Sequence, residues 1–447
     1  MQKLFGTDGI RAAAGEFPLD GQTVPLIGIS LARRFTERLG RPPRFVTGRD
    51  TRESGEWIER SFAAGAFSEG ASIESAGIIT TPGLAFVTDR FGFDAGIVIS
   101  ASHNPFQDNG IKIFLPDGCK LEEATERLIE RDIFSDIGST VRDRAIPDLA
   151  ISEQFQRAYL DHLLERFPHL RLNELKIVVD CANGASCGYA GDLLSRIGAT
   201  VEMINNVPDG RNINRDCGSL YLEGLQKRVV ETNADLGVAF DGDADRALFV
   251  DEQGNVVDGD ATLWILARRL KDEGGLTGSK VVATVMSNIG LEIALRSRDI
   301  EMVRTAVGDK YVLEELLRSG AAIGGEQSGH IIFPRVSLVG DGMMTMLLLL
   351  DALAAKNRRL SEAVQGFTRY PQILINVPVK EKKPFDAVPA IAAASAELER
   401  QLEGNGRLLL RYSGTENLAR VMIEGRDQAE IERLANGLGA VIERELR

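Results

Sequence analysis

Short apolar runs alternate with stretches in which apolar side chains recur every three or four positions, through most of the 447 residues. The runs predict buried strands and the periodic stretches amphipathic helices, and their alternation predicts α/β layers with parallel or mixed sheets. Arg44 to Thr47 reads as a strand before a helix around Trp57 to Phe67, and Lys176 to Asp180 as a strand before a helix around Tyr189 to Ile197. Near the C-terminus the pattern changes. A strand at Gln372 to Val379, a helix at Val388 to Leu402, two strands around Leu408 and Val421 and a closing helix read as α+β. Joints near Ile146 to Ile151, just after Asp251 to Gly254 and near Gly366 to Tyr370 divide the chain into four units, residues 1–150, 151–253, 254–367 and 368–447.

The first three units share a faint repetition: an apolar strand runs into a polar loop that returns at once into another strand. The loops read SASHNPFQDNG, DGDAD and GEQSGH. Loops at strand ends are where α/β folds place their chemistry, so three of them can converge on one cleft.

The first loop joins a strand at Ala95 to Ile99 to one at Ile111 to Phe114 and carries Ser102, His103, Asn104, Asp108, Asn109 and Lys112. Ser beside His pairs a nucleophile with a proton partner, but no G-x-S-x-G elbow surrounds them, which disfavours a hydrolase. On its own this loop also reads as a plain turn.

The second loop follows the apolar strand Leu236 to Phe240 and holds Asp241, Asp243 and Asp245. Three carboxylates so close would raise one another's pKa unless a cation sat among them. Oxygen-only ligands point to a hard ion, Mg²⁺ first, the other reading being a solvated acidic turn. A calcium-binding EF-hand is rejected, because Arg246 stands where that loop needs Gly and Arg246 to Asp251 reads as strand. An aspartyl-phosphate phosphatase would make Asp241 the nucleophile and Asp243 the acid, but its pattern has Thr or Val at the place of Asp245.

In the third loop Glu326, Gln327, Ser328 and His330 form a set suited to gripping sugar hydroxyls, since one carboxylate accepts from two of them, though taken alone the loop reads equally as a structural turn. In the last unit Arg411, Ser413, Gly414, Thr415 and, farther on, Arg420 read either as an anion nest, Arg forks matching phosphate oxygens, or as a hairpin turn with solvated charges. No Walker A pattern occurs, which argues against a P-loop nucleotide site.

Charge sharpens this picture. With 65 acidic against 52 basic side chains the formal charge is -13, the wrong sign for coating a nucleic acid. An anionic substrate therefore needs a local cluster of Arg, Lys and backbone N–H groups. Four cysteines without a CxxC pair fit reduced thiols. The N-terminal segment lacks the apolar stretch of a signal peptide, and the most apolar run, Met343 to Leu350, is too short to span a bilayer. The expectation is a cytoplasmic enzyme with no membrane and no nucleic-acid partner.

These four loops in this order, with the opening Gly6-Thr7-Asp8-Gly9-Ile10-Arg11, resemble the α-D-phosphohexomutase superfamily over essentially the whole chain. Asn212-Ile213-Asn214, Glu326-Gln327-Ser328 and Val307-Gly308-Asp309-Lys310-Tyr311 resemble its subgroup acting on glucosamine phosphates. The resemblance implies three related α/β domains with mixed sheets and a smaller α+β C-terminal domain, heart-shaped around a central cleft. It implies a phosphoserine at Ser102, with Ser102, Asp241, Asp243 and Asp245 around one Mg²⁺ per chain. Arg11 and Arg246 would steady the phosphate, with His103 beside them. Lys112 and His330 would move protons, Glu326 and Ser328 would bind sugar hydroxyls, and Arg411, Ser413, Gly414, Thr415 and Arg420 would hold the non-reacting phosphate. The implied reaction interconverts glucosamine 6-phosphate and glucosamine 1-phosphate through a bisphosphorylated sugar, for UDP-N-acetylglucosamine and cell-wall precursor synthesis; the same chemistry on mannose or glucose phosphates is the alternative. Implied partners are the phosphosugar and its bisphosphate, with a homodimer as a candidate assembly.

Overall fold

The computed structural model of the chain describes residues 3–135, 149–413 and 416–447. Part of the expected joint at Ile146 to Ile151, and both Gly414 and Thr415, lie outside the described residues. The described chain forms two compact units, one of residues 1–286 and 302–365, the other of residues 287–301 and 366–447.

The first unit contains three sheets built to one plan. The first has the strand order Phe5–Gly6, Gly9–Ala13, Asp108–Phe114, Ala95–Ile99, Arg44–Arg49, Ser72–Ile78. The second runs Val256–Val257, Ala247–Asp251, Leu236–Phe240, Lys176–Asp180, Thr200–Ile204, and the third Ile331–Ile332, Gly324–Gly325, Lys280–Thr284, Glu301–Thr305. In each, a strand parallel to its inner neighbour ends in one of the polar loops and returns antiparallel: Ala95–Ile99 into Asp108–Phe114, Leu236–Phe240 into Ala247–Asp251, and Gly324–Gly325 into Ile331–Ile332. The repetition in the sequence is thus a repeat of architecture.

Ala95–Ile99 and Leu236–Phe240 are buried at every position, which is why they read as unbroken apolar runs rather than alternating ones. The first return strand starts at Asp108, before its apolar stretch. Asp108 and Asn109 pair through backbone with Ala13 and Ala12 of an N-terminal strand that places Arg11 opposite Gly110. Helices Thr23–Leu39 and Gly55–Phe67 cover this sheet in close contact. Their approach needs glycine: a Cβ on Gly28 would lie 2.2 Å from Phe62 O, and one on Gly65 2.0 Å from Pro25 O.

In the second unit, strands Gln372–Pro378, Leu418–Gly425 and Gly406–Tyr412 form an antiparallel sheet in that order. Helices Pro389–Leu402 and Gln428–Leu446 bury Ile391, Leu398, Ile431 and Ile442 against Val421 and Ile423. Helix Ile289–Arg296 joins this unit through Glu424, which accepts from Ile289 N at 3.1 Å and Asn288 Nδ2 at 3.2 Å, and from Arg407 Nε at 2.9 Å. Among the described residues no helix is long and apolar enough to cross a membrane.

Candidate active site

Ser102 opens the polar loop after Ala95–Ile99 with a left-handed backbone, φ 53°, and its side chain is buried. Arg52, itself buried, holds that loop. Its guanidinium donates to Ser102 O at 2.9 Å, Asn104 O at 2.8 Å and Asp108 O at 2.9 Å, and also to Pro105 O, while Nε pairs with Asp50 at 2.9 Å. Asn214 Nδ2 donates to the same Ser102 and Asn104 carbonyls at 2.9 and 3.0 Å. The hydroxyl is left to face the acidic loop: Ser102 Oγ donates to Asp241 Oδ2 at 2.5 Å and lies 3.3 Å from His103 Nδ1.

Asp241, Asp243 and Asp245 are all buried, and each offers a carboxylate oxygen within 4.8 Å of the others. Gly242 lets the two loops meet, since a Cβ there would lie 2.5 Å from Ser102 O. Thr81 fixes Asp243, its N–H donating to Asp243 O at 3.0 Å and its hydroxyl to Oδ2 at 2.5 Å. Lys112 Nζ reaches Asp243 Oδ2 at 2.8 Å, Asp8 Oδ2 at 3.2 Å and Asp245 Oδ2 at 3.4 Å. His330 Nδ1 stands 3.6 Å, and Arg246 Nε 3.8 Å, from Asp245 Oδ1.

The electrostatics of this cluster are divided. Burial, with Asp245 and Asp243 alongside, pushes Asp241 well above the usual carboxylate range. Burial also pushes Asp245 up, but Lys112, His330 and Arg246 outweigh it and hold it well below. Lys112 would be lowered by burial, yet Asp243, Asp8 and Asp245 keep it firmly an ammonium. Burial, then Arg246 and Arg11, lower His103 to about 4, so it is neutral near pH 7. His330, although buried, is raised to about 9 by Asp245, Asp309 and Glu326 and is a cation there.

Buried polar atoms without a hydrogen-bond partner mark where a ligand belongs. Among the described residues they include Asp243 Oδ1, Asp245 Oδ1, Arg11 Nε, Arg246 Nε, Ser328 Oγ and His330 Nε2, all in this one cluster of loops or beside it in the same unit. Two free carboxylate oxygens beside a third carboxylate of raised pKa are a donor set for a hard divalent cation, so the residues present fit a metal. The free N–H groups of Arg11 and Arg246 suit an oxyanion.

Glu326 belongs to the third loop, its Oε1 accepting from Gly308 N at 3.0 Å. The structure therefore brings Ser102, His103, Lys112, the three aspartates, Arg246 and His330 together around the acidic loop, and joins Arg11 to it through Asp8. In the second unit, Arg411 and Arg420 stand directly opposite each other on paired strands. Ser413 Oγ accepts from Arg420 Nη2 at 3.3 Å, Lys382 Nζ donates to Ser413 O at 2.7 Å, and Arg420 Nε is without a partner. Like charges opposed in this way repel; Glu416 Oε2, 3.5 Å from Arg420 Nη2, offsets part of that, and a bound anion would offset more.

Arg52, Thr81, Asn214, Asp8 and Lys382 went unassigned in the sequence reading. Arg52, Asn214 and Lys382 act on main-chain carbonyls contributed by distant segments, which leaves no spacing to read. Only Asn214 and Asp8 carried a signal, both lying inside stretches already singled out.

Comparison with known proteins gives a consistent picture. Profiles of the phosphoglucomutase/phosphomannomutase family match the chain four times: alpha/beta/alpha domain I over residues 2–138, domain II over 157–254, domain III over 258–370 and the C-terminal domain over 374–438. A phosphoglucosamine mutase of Solibacter usitatus is 48% identical over 443 residues, 99% of each chain. A phosphoglucomutase/phosphomannomutase family protein of Burkholderia thailandensis superposes with a TM-score of 0.81 at 22% identity, covering 100% of this chain and 98% of that one. The N-acetylphosphoglucosamine mutase of Aspergillus fumigatus, solved with GlcNAc-6P and magnesium, gives 0.69 at 19% identity over 99% and 96%. At those identities the two structures speak to fold.

Proposed function

The chain belongs to the phosphoglucomutase/phosphomannomutase family, and on that premise we propose how its own residues carry phosphoryl transfer. Its activity is that of a phosphoglucosamine mutase, interconverting glucosamine 6-phosphate and glucosamine 1-phosphate. The observation that carries the residue assignment is the hydrogen bond from Ser102 Oγ to Asp241, which sets a modifiable hydroxyl against a buried triad of carboxylates.

Ser102 is the phosphoryl carrier in this reading. Asp241, Asp243 and Asp245, with an oxygen on Ser102, would hold Mg²⁺, which would supply neutralisation of phosphoryl charge. A phosphoserine brings about -1.5 to -2 charges toward three carboxylates. Each bare pair about 4 Å apart would cost about 4 kcal/mol at an effective dielectric near 20. Arg11 and Arg246, each with a free N–H, take the phosphoryl oxygens. Transfer breaks the bond from phosphorus to Ser102 Oγ and forms one to the free hydroxyl of the bound sugar monophosphate. The charged Lys112 gives its proton to the departing Ser102 oxygen, and the proton of the attacking hydroxyl replaces it, so the step balances. The bisphosphate then turns over and the other phosphoryl returns to Ser102: the bond from phosphorus to the second sugar oxygen breaks as one to Ser102 Oγ forms, the cationic His330 gives its proton to the departing sugar oxygen, and the Ser102 hydroxyl proton replaces it. His103, neutral, stands with Nδ1 3.3 Å from Ser102 Oγ and adds no charge there.

Glu326 and Ser328 grip sugar hydroxyls, and Arg411, Ser413, Gly414, Thr415 and Arg420 hold the phosphate that is not reacting. The opposed pair Arg411 and Arg420 supports this, since an anion relieves their repulsion. Cytoplasmic residence and a homodimer remain part of the proposal, the second readable by light scattering in solution. Parallel assays with glucosamine, mannose and glucose phosphates test the substrate: fastest turnover with glucosamine phosphates is expected, and equal or faster turnover of mannose phosphates overturns the sugar assignment.

A further inference from the structure

Asp8 of the opening signature and the stretch Val307 to Tyr311 have no part in the transfer just described, yet one side chain joins them. Lys120 Nζ lies 2.7 Å from Asp8 Oδ1, 2.6 Å from Asp309 Oδ2 and 3.2 Å from Thr7 O. Its backbone is pinned by a bridge to Phe114, at the end of the strand that carries Lys112. From Lys120 two arms run toward the site. Along one, Asp8 Oδ2 sits 3.2 Å from Lys112 Nζ and pairs with Arg11. Along the other, Asp309 follows Gly308, whose N–H donates to Glu326 Oε1 at 3.0 Å, and Asp309 Oδ2 lies 3.9 Å from His330 Nε2. Gly308 has φ 129°, a conformation that side chains with a Cβ rarely adopt, so this turn calls for glycine.

We propose that Lys120 is a positioning residue for phosphoryl transfer, holding Asp8 and Asp309 so that Lys112 and Arg11 on one side and Glu326 on the other stay in register. The proposal rests on the mutase reading above. These are not freely solvated surface charges, since Lys120, Asp8 and Asp309 side chains are only about one-fifth exposed (21%, 22% and 22%). Without the ammonium, Asp8 is free to draw Arg11 off the phosphate and Asp309 to turn toward His330, and the Gly308 turn loses its anchor. Misplacement on that scale is enough to slow chemistry about tenfold or more.

The test is steady-state kinetics on full-length Lys120→Met, Lys120→Arg and Asp309→Asn with glucosamine 6-phosphate. Lys120→Met should lower kcat about tenfold through the Asp8 arm and raise KM at least about threefold through the Glu326 arm. Asp309→Asn cuts the second arm, so KM should rise at least about threefold. Lys120→Arg keeps both ion pairs and should return both parameters to within about threefold. Unchanged kinetics in Lys120→Met, an unchanged KM in Asp309→Asn, or an Arg variant no better than Met would each overturn the role. If Lys120→Met does not fold, the other two variants decide. A wild-type protein that fails to turn over glucosamine phosphates sinks the mutase reading instead, so the two failures are distinct.

Discussion

Ser102 occupies the left-handed region with φ 53°, where a side chain with a Cβ is strained by about 1–3 kcal/mol, and two other side chains keep it there. Arg52 and Asn214 both bond its carbonyl, so the strain is held by the same contacts that aim the hydroxyl at Asp241. Asn214→Ala should therefore lower kcat about tenfold or more while costing only about 1–3 kcal/mol of stability, read by kinetics and denaturant unfolding side by side. A variant with wild-type kcat would show that the loop holds itself. Arg52→Met would strip the buried Asp50 of its counter-ion, leaving it the Ser100 hydroxyl and a main-chain N–H, and should cost about 3–5 kcal/mol in denaturant unfolding. At this scale the sequence reveals the chemistry but not its support. The spacing of Asp241, Asp243 and Asp245 is local and legible, as is Ser102 beside His103. Arg52 finds Asn104 and Asp108 only after the chain has folded, and carbonyl acceptors look alike at every position.

Among the elements, the three return strands were legible because their apolar runs flank polar loops. The N-terminal strand Gly9–Ala13 was not, since Arg11, Ala12 and Ala13 show no alternation and pairing with Asp108 to Ile111 defines it. Helix Gly342–Lys356 carries a titration that can be tested. Its N-cap Asp341 is buried, accepts from Met344 N at 2.9 Å and Tyr159 OH at 2.9 Å, and is pushed up by burial to about 6. A carboxyl whose folded pKa is raised favours folding in its neutral form, so its contribution is fully present below about pH 4 and is lost as pH rises through about 6. Relative to Asp341→Asn, the wild type should lose about 2 kcal/mol of stability between pH 4 and pH 7, measured by urea midpoints at each pH. Parallel pH profiles for the two proteins would refute this. On the C-terminal hairpin, Arg420→Ala removes one of two opposed cations and a free donor. It should raise KM for the sugar phosphate about tenfold with little loss of stability, and an unchanged KM would remove the hairpin from the binding site.

For the molecule as a whole, the charge count is the organising fact. A chain with a formal charge of -13 binds an anion next to three buried carboxylates, which is possible only where cations are concentrated locally. Lys112, Arg11, Arg246 and His330 supply part of that concentration, and the free oxygens of Asp243 and Asp245 leave room for a metal to supply the rest. Chelation with EDTA should abolish turnover and added Mg²⁺ restore it, with Asp243→Asn needing far more metal; full activity in EDTA would remove the metal from the account. The most direct measurement of the central claim is intact-mass analysis with phosphopeptide mapping of the wild type and Ser102→Ala, each beside a glucosamine 6-phosphate assay. One phosphoryl group on Ser102 in the active wild type, and neither phosphate nor turnover in a folded Ser102→Ala, is the predicted result. Wild-type turnover in Ser102→Ala, or a transferred phosphoryl group found on another residue, would contradict it.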